Sequence, residues 1–379
     1  MKVFKKGTSS VFCALLALVL LVSIFSGCQT TPPADTSDTA GSTAGTTEAT
    51  SGTTEATTGT TEATQPTETE PVLNYANPLT GEAIAEPMMS RPFAVMMNNV
   101  KPAMPMWGVS AADVLVETFA EGGATRCMGI FTDIGAVKRV GSIRSARPYF
   151  VHTAIGFDAI YTHIGGSNTA YDLLTAQKWD EIDGNRGPVT KFFTRDMDRY
   201  NNGVGIEHTW YITGENALAA AEKKGCTLQR EEPLDYGWNF AENATPAGQS
   251  ASVIQIRFSG KNGKLTKLTY DAQSGVYTAF QHGSDWVDGD SGKVASFTNI
   301  LYLSTFSGME DNGVVHTLQL TGSGKGYFAC GGKIVAIKWS RDNIKSPFAF
   351  TLEDGTPLTM GIGKTYIALA PNNSVISYE

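Results

Sequence analysis

The chain has 379 residues, a formal net charge of −8, and 41% hydrophobic against 17% charged residues. No basic stripe runs along it, so the composition speaks against a nucleic-acid partner. Its five cysteines are widely spaced and contain no Cys-x-x-Cys, which leaves neither a zinc ribbon nor a dense disulfide framework to build on.

Lys2, Lys5 and Lys6 open the chain, and an apolar run from Val11 to Phe25 follows, interrupted by Ser23. That run is too short for a comfortable membrane span and ends in small residues, the pattern of a signal peptide over residues 1–27. Ser26-Gly27-Cys28 has the form of a lipobox, with Phe25 where leucine is usual. Cys28 is therefore the expected lipidation site. Acyl chains on it (palmitate or a similar fatty acid) would tether the mature protein to the membrane's extracytoplasmic face without spanning it.

Residues 28–73 form the next segment. It is rich in Thr, Ala, Gly, Glu and Ser, and the hexapeptide Gly-Thr-Thr-Glu-Ala-Thr recurs at 45–50, 52–57 and 59–64. The seven-residue period has no apolar position, so it cannot form a coiled-coil seam. Such a composition buries too little to offset its ordering entropy and is expected to be a disordered linker. A flexible chain of this length spans roughly 35–40 Å. The signal carries three lysines and the linker seven acids, which leaves a net charge of −4 on residues 74–379.

From Asn74 to about residue 235 the pattern alternates. Residues 91–100, 112–123, 126–134, 140–146 and 158–166 read as strands, the second through the alternation of Val114, Val116 and Thr118 against Leu115, Glu117 and Phe119. Pro148 suits the first turn of a helix. Ser167 is placed to cap another through Lys178, and Thr213 and Gly225 bracket a third. Residues 181–203 read as irregular. Beyond a polar break at 231–251, residues 236–379 carry short strands and Gly-rich turns with few helical windows. The expected fold class is α/β: layered sheet and helix first, then a mainly antiparallel β region.

NPLTGE (77–82), RPFAVMMNN (91–99), EGGATR (121–126), GSIRSAR (141–147) and DAIYTHIGGS (158–167) resemble the N-terminal region of the YerB-like lipoproteins. GSGKGYFACGGKIVAIKWSR (322–341) and LTMGIGKTYIALAP (358–371) resemble their C-terminal region. The resemblance covers nearly everything after the linker. It implies a cell-envelope lipoprotein with layered sheets and helices, and it carries no chemistry across. Where that family tends to show His-Asn-Leu-Tyr, this chain has His208-Thr209-Trp210-Tyr211, without the Asn amide.

Two strand-to-helix junctions, Arg144-Ser145-Ala146-Arg147 and Gly165-Gly166-Ser167, should set backbone N–H groups at a sheet's carboxyl edge, where open α/β sheets bind ligands. Arg126, Arg144 and Arg147 would add forked donors for carboxylate or phosphate. The competing reading pairs these arginines with Glu117, Glu121 and Asp133 as structural bridges. Glu117 and Glu121, an even number apart on one strand, are candidates for an acid/base pair in glycan cleavage. His163 is a candidate general base, against the plainer reading of a structural histidine. No histidine spacing suits a metal, and no cofactor motif occurs. The Gly322-x-Gly324-x-Gly326 run should be a bend or bulge, and Asp288–Gly292 a turn, not a calcium loop. Trp107, Tyr149, Trp179, Trp210 and Tyr211 could stack on sugar rings or fill the core. Two functions stay open: binding of an anionic or wall-derived ligand or an envelope protein, and a glycan hydrolase or lyase working through a carboxylate.

Overall fold

The computed structural model describes residues 73–379 except 260–262, 311, 312 and 314. The readings for the signal, Cys28 and the linker up to residue 72 fall outside the described residues. The region is organised on an eleven-stranded mixed sheet. From one edge its strands run Gln249–Ser250, Lys333–Arg341, Gly322–Cys330, Asn299–Thr305, Thr365–Pro371, Val114–Phe119, Thr125–Phe131, Phe93–Asn99, Ile160–His163 and Glu181–Asp183, with Ala349–Leu352 on the flank of Lys333–Arg341.

Strands from both parts of the sequence therefore share one sheet. The join is Thr365–Pro371, which runs parallel to Val114–Phe119 with Ala368 opposite Glu117 and parallel to Asn299–Thr305 on its other side. Both faces of the central strands are covered, so Phe93–Asn99, Val114–Phe119, Thr125–Phe131 and Thr365–Pro371 are buried along their whole length. Parallel-paired strands covered on both faces need continuous apolar character. The layered α/β reading holds, with mixed pairing in the first half and mainly antiparallel pairing in the second.

One face is packed by helices α1 (Pro148–Gly156) and α2 (Asn168–Gln177) through Tyr149, Phe150, Val151, Ala170 and Leu174. The opposite face carries α4 (Gly214–Lys224) and a six-stranded antiparallel sheet. Its strands are Ser284–Asp285, Val276–Gln281, Leu265–Asp271, Val253–Arg257 and Val375–Tyr378, with Ser296–Phe297 beside Val276–Gln281. Val253–Arg257 alternates buried and half-buried residues as a sheet with one wet face must.

The caps follow from local chemistry. Ser167 and Thr213 each accept an N–H from three residues on, Ala170 and Asn216, and Gly225 ends α4 in the left-handed conformation. Gly331 and Gly332, at φ 60° and 75°, close the two-residue hairpin between Gly322–Cys330 and Lys333–Arg341, the turn that demands positive φ twice.

Three local readings need correction. Residues 140–146 are a strand only at Val140–Gly141, which pairs with Trp210–Ile212. Beyond it the chain divides its hydrogen bonds among neighbours, Ile143 N–H to Trp210 O and Arg144 N–H to Met96 O, and follows no single partner. The segment 181–203 is not irregular: it holds strands Glu181–Asp183 and Phe193–Arg195, a 3-10 helix over Gly187–Phe192, and α3 (Met197–Asn201), capped by Asp196 on Arg199 N–H. The glycine run at 322–326 lies inside a strand, and a Cβ on Gly324 would sit 2.5 Å from Trp339 Nε1. Gly324 makes room for that tryptophan and Gly326 for the close approach of Tyr302 O, within a continuous strand. Asp288–Gly292 is a turn, with Asp288 Oδ1 accepting the N–H groups of Asp290 and Ser291.

Candidate functional site

The loop at Glu121, which joins two central strands, lies beside the segment leading into α1. Glu121 Oε2 meets Arg126 Nη2 at 3.2 Å, and Glu121 Oε1 accepts from Arg147 Nε. Arg126 Nη1 also donates to Ser145 O at 3.0 Å, and Arg147 Nη1 to Ala146 O at 2.7 Å. Arg126 is nearly buried. Burial first, and the adjacent Arg147 second, pull its guanidinium down to about 10. One carboxylate thus serves two guanidinium groups.

Arg144 is placed differently. Its side-chain hydrogen bond among the described residues is a long one, Nη1 to Glu207 O at 3.4 Å, and its Nε is buried without any partner. Burial lowers its guanidinium, Glu207 opposes, and Arg147 lowers it further, so the three arginines sit within electrostatic reach of one another. Arg144 lines a cavity of about 250 Å³ together with Ile143, Asn185, Ile206 and Trp210. An unpaired guanidinium N–H in such a place costs free energy until an acceptor reaches it.

The Gly165-Gly166-Ser167 junction borders this cavity, since a Cβ on Gly165 would lie 3.0 Å from Asn185 Nδ2 and 3.6 Å from Ser145 Oγ. Its backbone donors are largely engaged: Gly165 N–H goes to Asp183 Oδ1 and Ser167 N–H to Ala146 O, while Ser167 Oγ takes Ala170 N–H. The anion-binding capacity expected of a helix start is spent inside the protein, and Arg144 is what remains.

Glu117 and Glu121 are not a facing pair. The strand ends at Phe119, and Glu121 belongs to the turn that follows. Glu117 is fully buried and accepts from Asn99 Nδ2 (2.9 Å), Thr125 Oγ1 (2.6 Å), Lys264 Nζ (2.6 Å), Thr266 Oγ1 (2.9 Å) and Tyr366 OH (2.6 Å). Burial alone would raise its carboxyl; Lys264 and these hydrogen bonds outweigh that and hold it below the usual carboxylate range. It has no lone pair left for a substrate. Burial pushes the Cys127 thiol on the next strand well up.

His163 is also buried. Nδ1 faces Gly165 O at 2.8 Å and Nε2 faces Glu181 Oε2 at 2.7 Å. Both ring nitrogens are thus engaged inside the protein. His163, Glu181 and Asp183 bring ligand-type atoms within 4.8 Å of one another, yet Asp183 already accepts from Gly165 N, Asn185 N and Tyr171 OH. Of the aromatic candidates, Trp107 and Tyr149 are core residues, and Trp107 lies between the guanidiniums of Arg139 (4.2 Å) and Arg199 (3.7 Å). Trp179 donates to Ala159 O, Tyr211 packs edge-on against Trp107, and Trp210 lines the Arg144 cavity.

The chain belongs to a known family. The chain matches the domains described as "Protein of unknown function (DUF3048)", the N-terminal one over residues 79–227 and the C-terminal one over 254–367, and it is a member of that family. It is similar to the "Putative lipoprotein YerB" of Bacillus subtilis (strain 168), 30% identical over 297 residues, which are 78% of this chain and 86% of that protein. Its fold is similar to the crystal structure of the YerB protein from Bacillus subtilis, with a TM-score of 0.68 and 29% identity, covering 80% of this chain and 100% of that one.

Among the described residues no helix is long and apolar enough to cross a membrane. Neither the placing of Asn185 on the Arg144 cavity nor the Lys264 partner of Glu117 was foreseen from the sequence. Asn185 follows Gly184 and precedes Arg186-Gly187, a turn composition that hints at a loop but not at what the loop faces.

Proposed function

We propose that this chain is a membrane-anchored lipoprotein held through Cys28, and that its folded part binds an anionic group of a cell-wall-derived ligand at Arg144. The lipoprotein designation of the Bacillus relative and the Ser26-Gly27-Cys28 sequence support the anchor. The single observation that carries the ligand reading is that Arg144 lines a cavity walled by Asn185 and Trp210 while its guanidinium makes only a long hydrogen bond, to Glu207 O, among the described residues. A carboxylate or phosphate would take the forked donors, Asn185 would supply a neutral amide, and the indole would offer an apolar wall. Arg126 and Arg147 act from behind: tied to Glu121, they hold the Arg144 segment in place and keep the local potential positive.

Binding is favoured over glycan cleavage because Glu117 is sealed in the core and Glu121 is shared by two guanidinium groups. A crystal of the protein soaked in N-acetylmuramic acid should place a carboxylate oxygen within hydrogen-bonding distance of the Arg144 guanidinium. Density elsewhere, with the Arg144 cavity unchanged, would refute the assignment.

A further inference from the structure

A second cavity, of about 550 Å³, opens where several turns meet. The turn at Gly122-Gly123, the start of strand Leu265–Asp271 and the hairpin turn at His282-Gly283 all reach it, together with the residues that follow strand Phe93–Asn99. Three basic side chains line it, Lys101, Lys264 and His282, and among the described residues no carboxylate does. The acids closest in sequence are occupied elsewhere. Glu117 takes Lys264 and four other donors in the core, and Glu121 takes Arg126 and Arg147. Asp285, cross-strand from Phe280, lines the neighbouring cavity.

Because Glu117 offsets Lys264, the charge left on the wall is that of Lys101 and, when protonated, of His282. Lys101 is exposed, and its ammonium has no hydrogen bond or ion pair among the described residues. His282 is half-buried. Its Nε2 faces Asn99 O at 3.3 Å, and Nδ1 has no partner among the described residues. Burial first, and Lys264 next, hold its imidazole below the ordinary histidine value; Asn99 and Glu117 oppose, and Lys101 lowers it further. Both lysines therefore act on the ring electrostatically. Residues 74–379 carry a net charge of −4, so a wall of bases without acids reverses the sign locally and draws in an anion.

We propose that this cavity binds the phosphate group of an organic phosphate ester, attracted by Lys101 and His282, with the organic part of the ester against Phe280 and Leu265. The wall holds no arginine, so it lacks the planar fork that matches a carboxylate. Point charges from separate elements suit a phosphate, whose oxygens point in several directions. The space is far larger than a single ion needs and falls in the range of organic-ligand pockets. Phe280, 37% exposed, supplies apolar surface for the remainder. Gly122 and Gly123 keep their part of the wall to bare main chain, since a Cβ on either would meet nothing within 4 Å. No residue lines both this cavity and that of Arg144, so the two sites stand or fall separately.

The test is calorimetric titration of the full-length chain in detergent with glycerophosphoglycerol, a diester of fixed single negative charge, and with glycerol and glycerate as neutral and carboxylate controls. It is run on either side of the histidine range, at about pH 5 and about pH 8. The diester should bind, and both controls should bind at least tenfold more weakly. A bound anion favours the imidazolium, so binding takes up a proton at His282 and should tighten about tenfold from the higher pH to the lower. His282→Asn suits the backbone there, at φ 53°, because Asn tolerates positive φ; it should abolish that pH dependence. Lys101→Gln should weaken the diester about tenfold, as loss of a charge-assisted bond does, and leave the melting temperature unchanged, because Lys101 has no partner to lose. Micelles containing phosphatidylglycerol separate the sources: competition with the diester assigns the phosphate to a lipid headgroup, and its absence assigns it to a soluble or polymeric ester. The assignment is overturned if the diester does not bind, if glycerol or glycerate binds as well, if Lys101→Gln spares affinity, or if the pH dependence persists in His282→Asn. Should either variant fail to fold, the wild-type titration decides alone: diester binding that does not tighten as the pH falls ends the proposal.

Discussion

Lys264 and Glu117 show how a single buried charge is kept in this core. Glu117 has five donors around it, from Asn99, Thr125, Lys264, Thr266 and Tyr366, which bring four separate stretches of sequence to one carboxylate. Lys264 is itself nearly buried, with its ammonium 5.2 Å from the Trp286 ring centroid. Lys264→Met would strand the carboxylate, and losing one partner of a buried pair costs about 3–5 kcal/mol. Denaturant melts at pH 7 should show that loss. It should shrink as the pH falls, because burial without Lys264 raises the Glu117 carboxyl and acid then supplies the proton that neutralises it. In the wild type the sign is opposite: a carboxyl held low contributes stability above its ordinary value that is lost only as the pH falls through the depressed one. A loss that stays constant with pH would mean that Glu117 is not the group left unpaired. None of this was legible in the sequence. Alternation placed Glu117 on a strand, but its partners lie up to 249 residues away, and no local pattern marks them.

Elements were more legible than their partners, for a physical reason. Helix caps are local: Ser167 and Thr213 act on N–H groups three residues on, so the signal and the contact occupy the same few residues. Thr213→Ala should therefore cost about 1 kcal/mol, read as an earlier urea midpoint with an unchanged m-value. No change would mean that packing of α4 against the sheet, through Ala217, Ala220 and Ala221, overrides its cap. The hairpin at Gly331-Gly332 was legible for the same reason. The 140–146 segment was not, because its apolar residues suit a strand while its hydrogen bonds go to Met96 and Trp210 on two different neighbours. That departure matters for the site. By leaving the strand after Gly141, the chain brings Arg144 against Glu207 and beside the Asn185 loop. The three arginines stood out in the sequence by residue type and spacing; which of them goes without Glu121 did not, since that depends on where its carboxylate points.

At the scale of the whole molecule, strand Thr365–Pro371 ties the two parts of the sequence together by pairing on one side with Val114–Phe119 and on the other with Asn299–Thr305. Both family domains thus contribute to one sheet, and the Arg144 cavity lies within the first. The anchor reading belongs to this scale as well. If Cys28 carries the lipid, Cys28→Ser should leave uncleaved precursor or release the protein from the membrane fraction; a cleaved mutant that stays on the membrane would contradict it. The central claim is that Arg144 is a ligand group and not a structural brace. Its most direct measurement is a pair of isotherms, N-acetylmuramic acid and its methyl ester, on wild type, Arg144→Ala and Arg144→Lys, with a melt of each protein. A charge-assisted hydrogen bond is worth about 1.5–3 kcal/mol, so Arg144→Ala should weaken the acid at least tenfold and leave the ester's weak binding unchanged. Arg144→Lys should recover only part, because a point charge does not reproduce the fork. All three proteins should melt alike. Equal affinities across the three, with a lower melting temperature for Arg144→Ala, would show that Arg144 braces the fold and binds nothing.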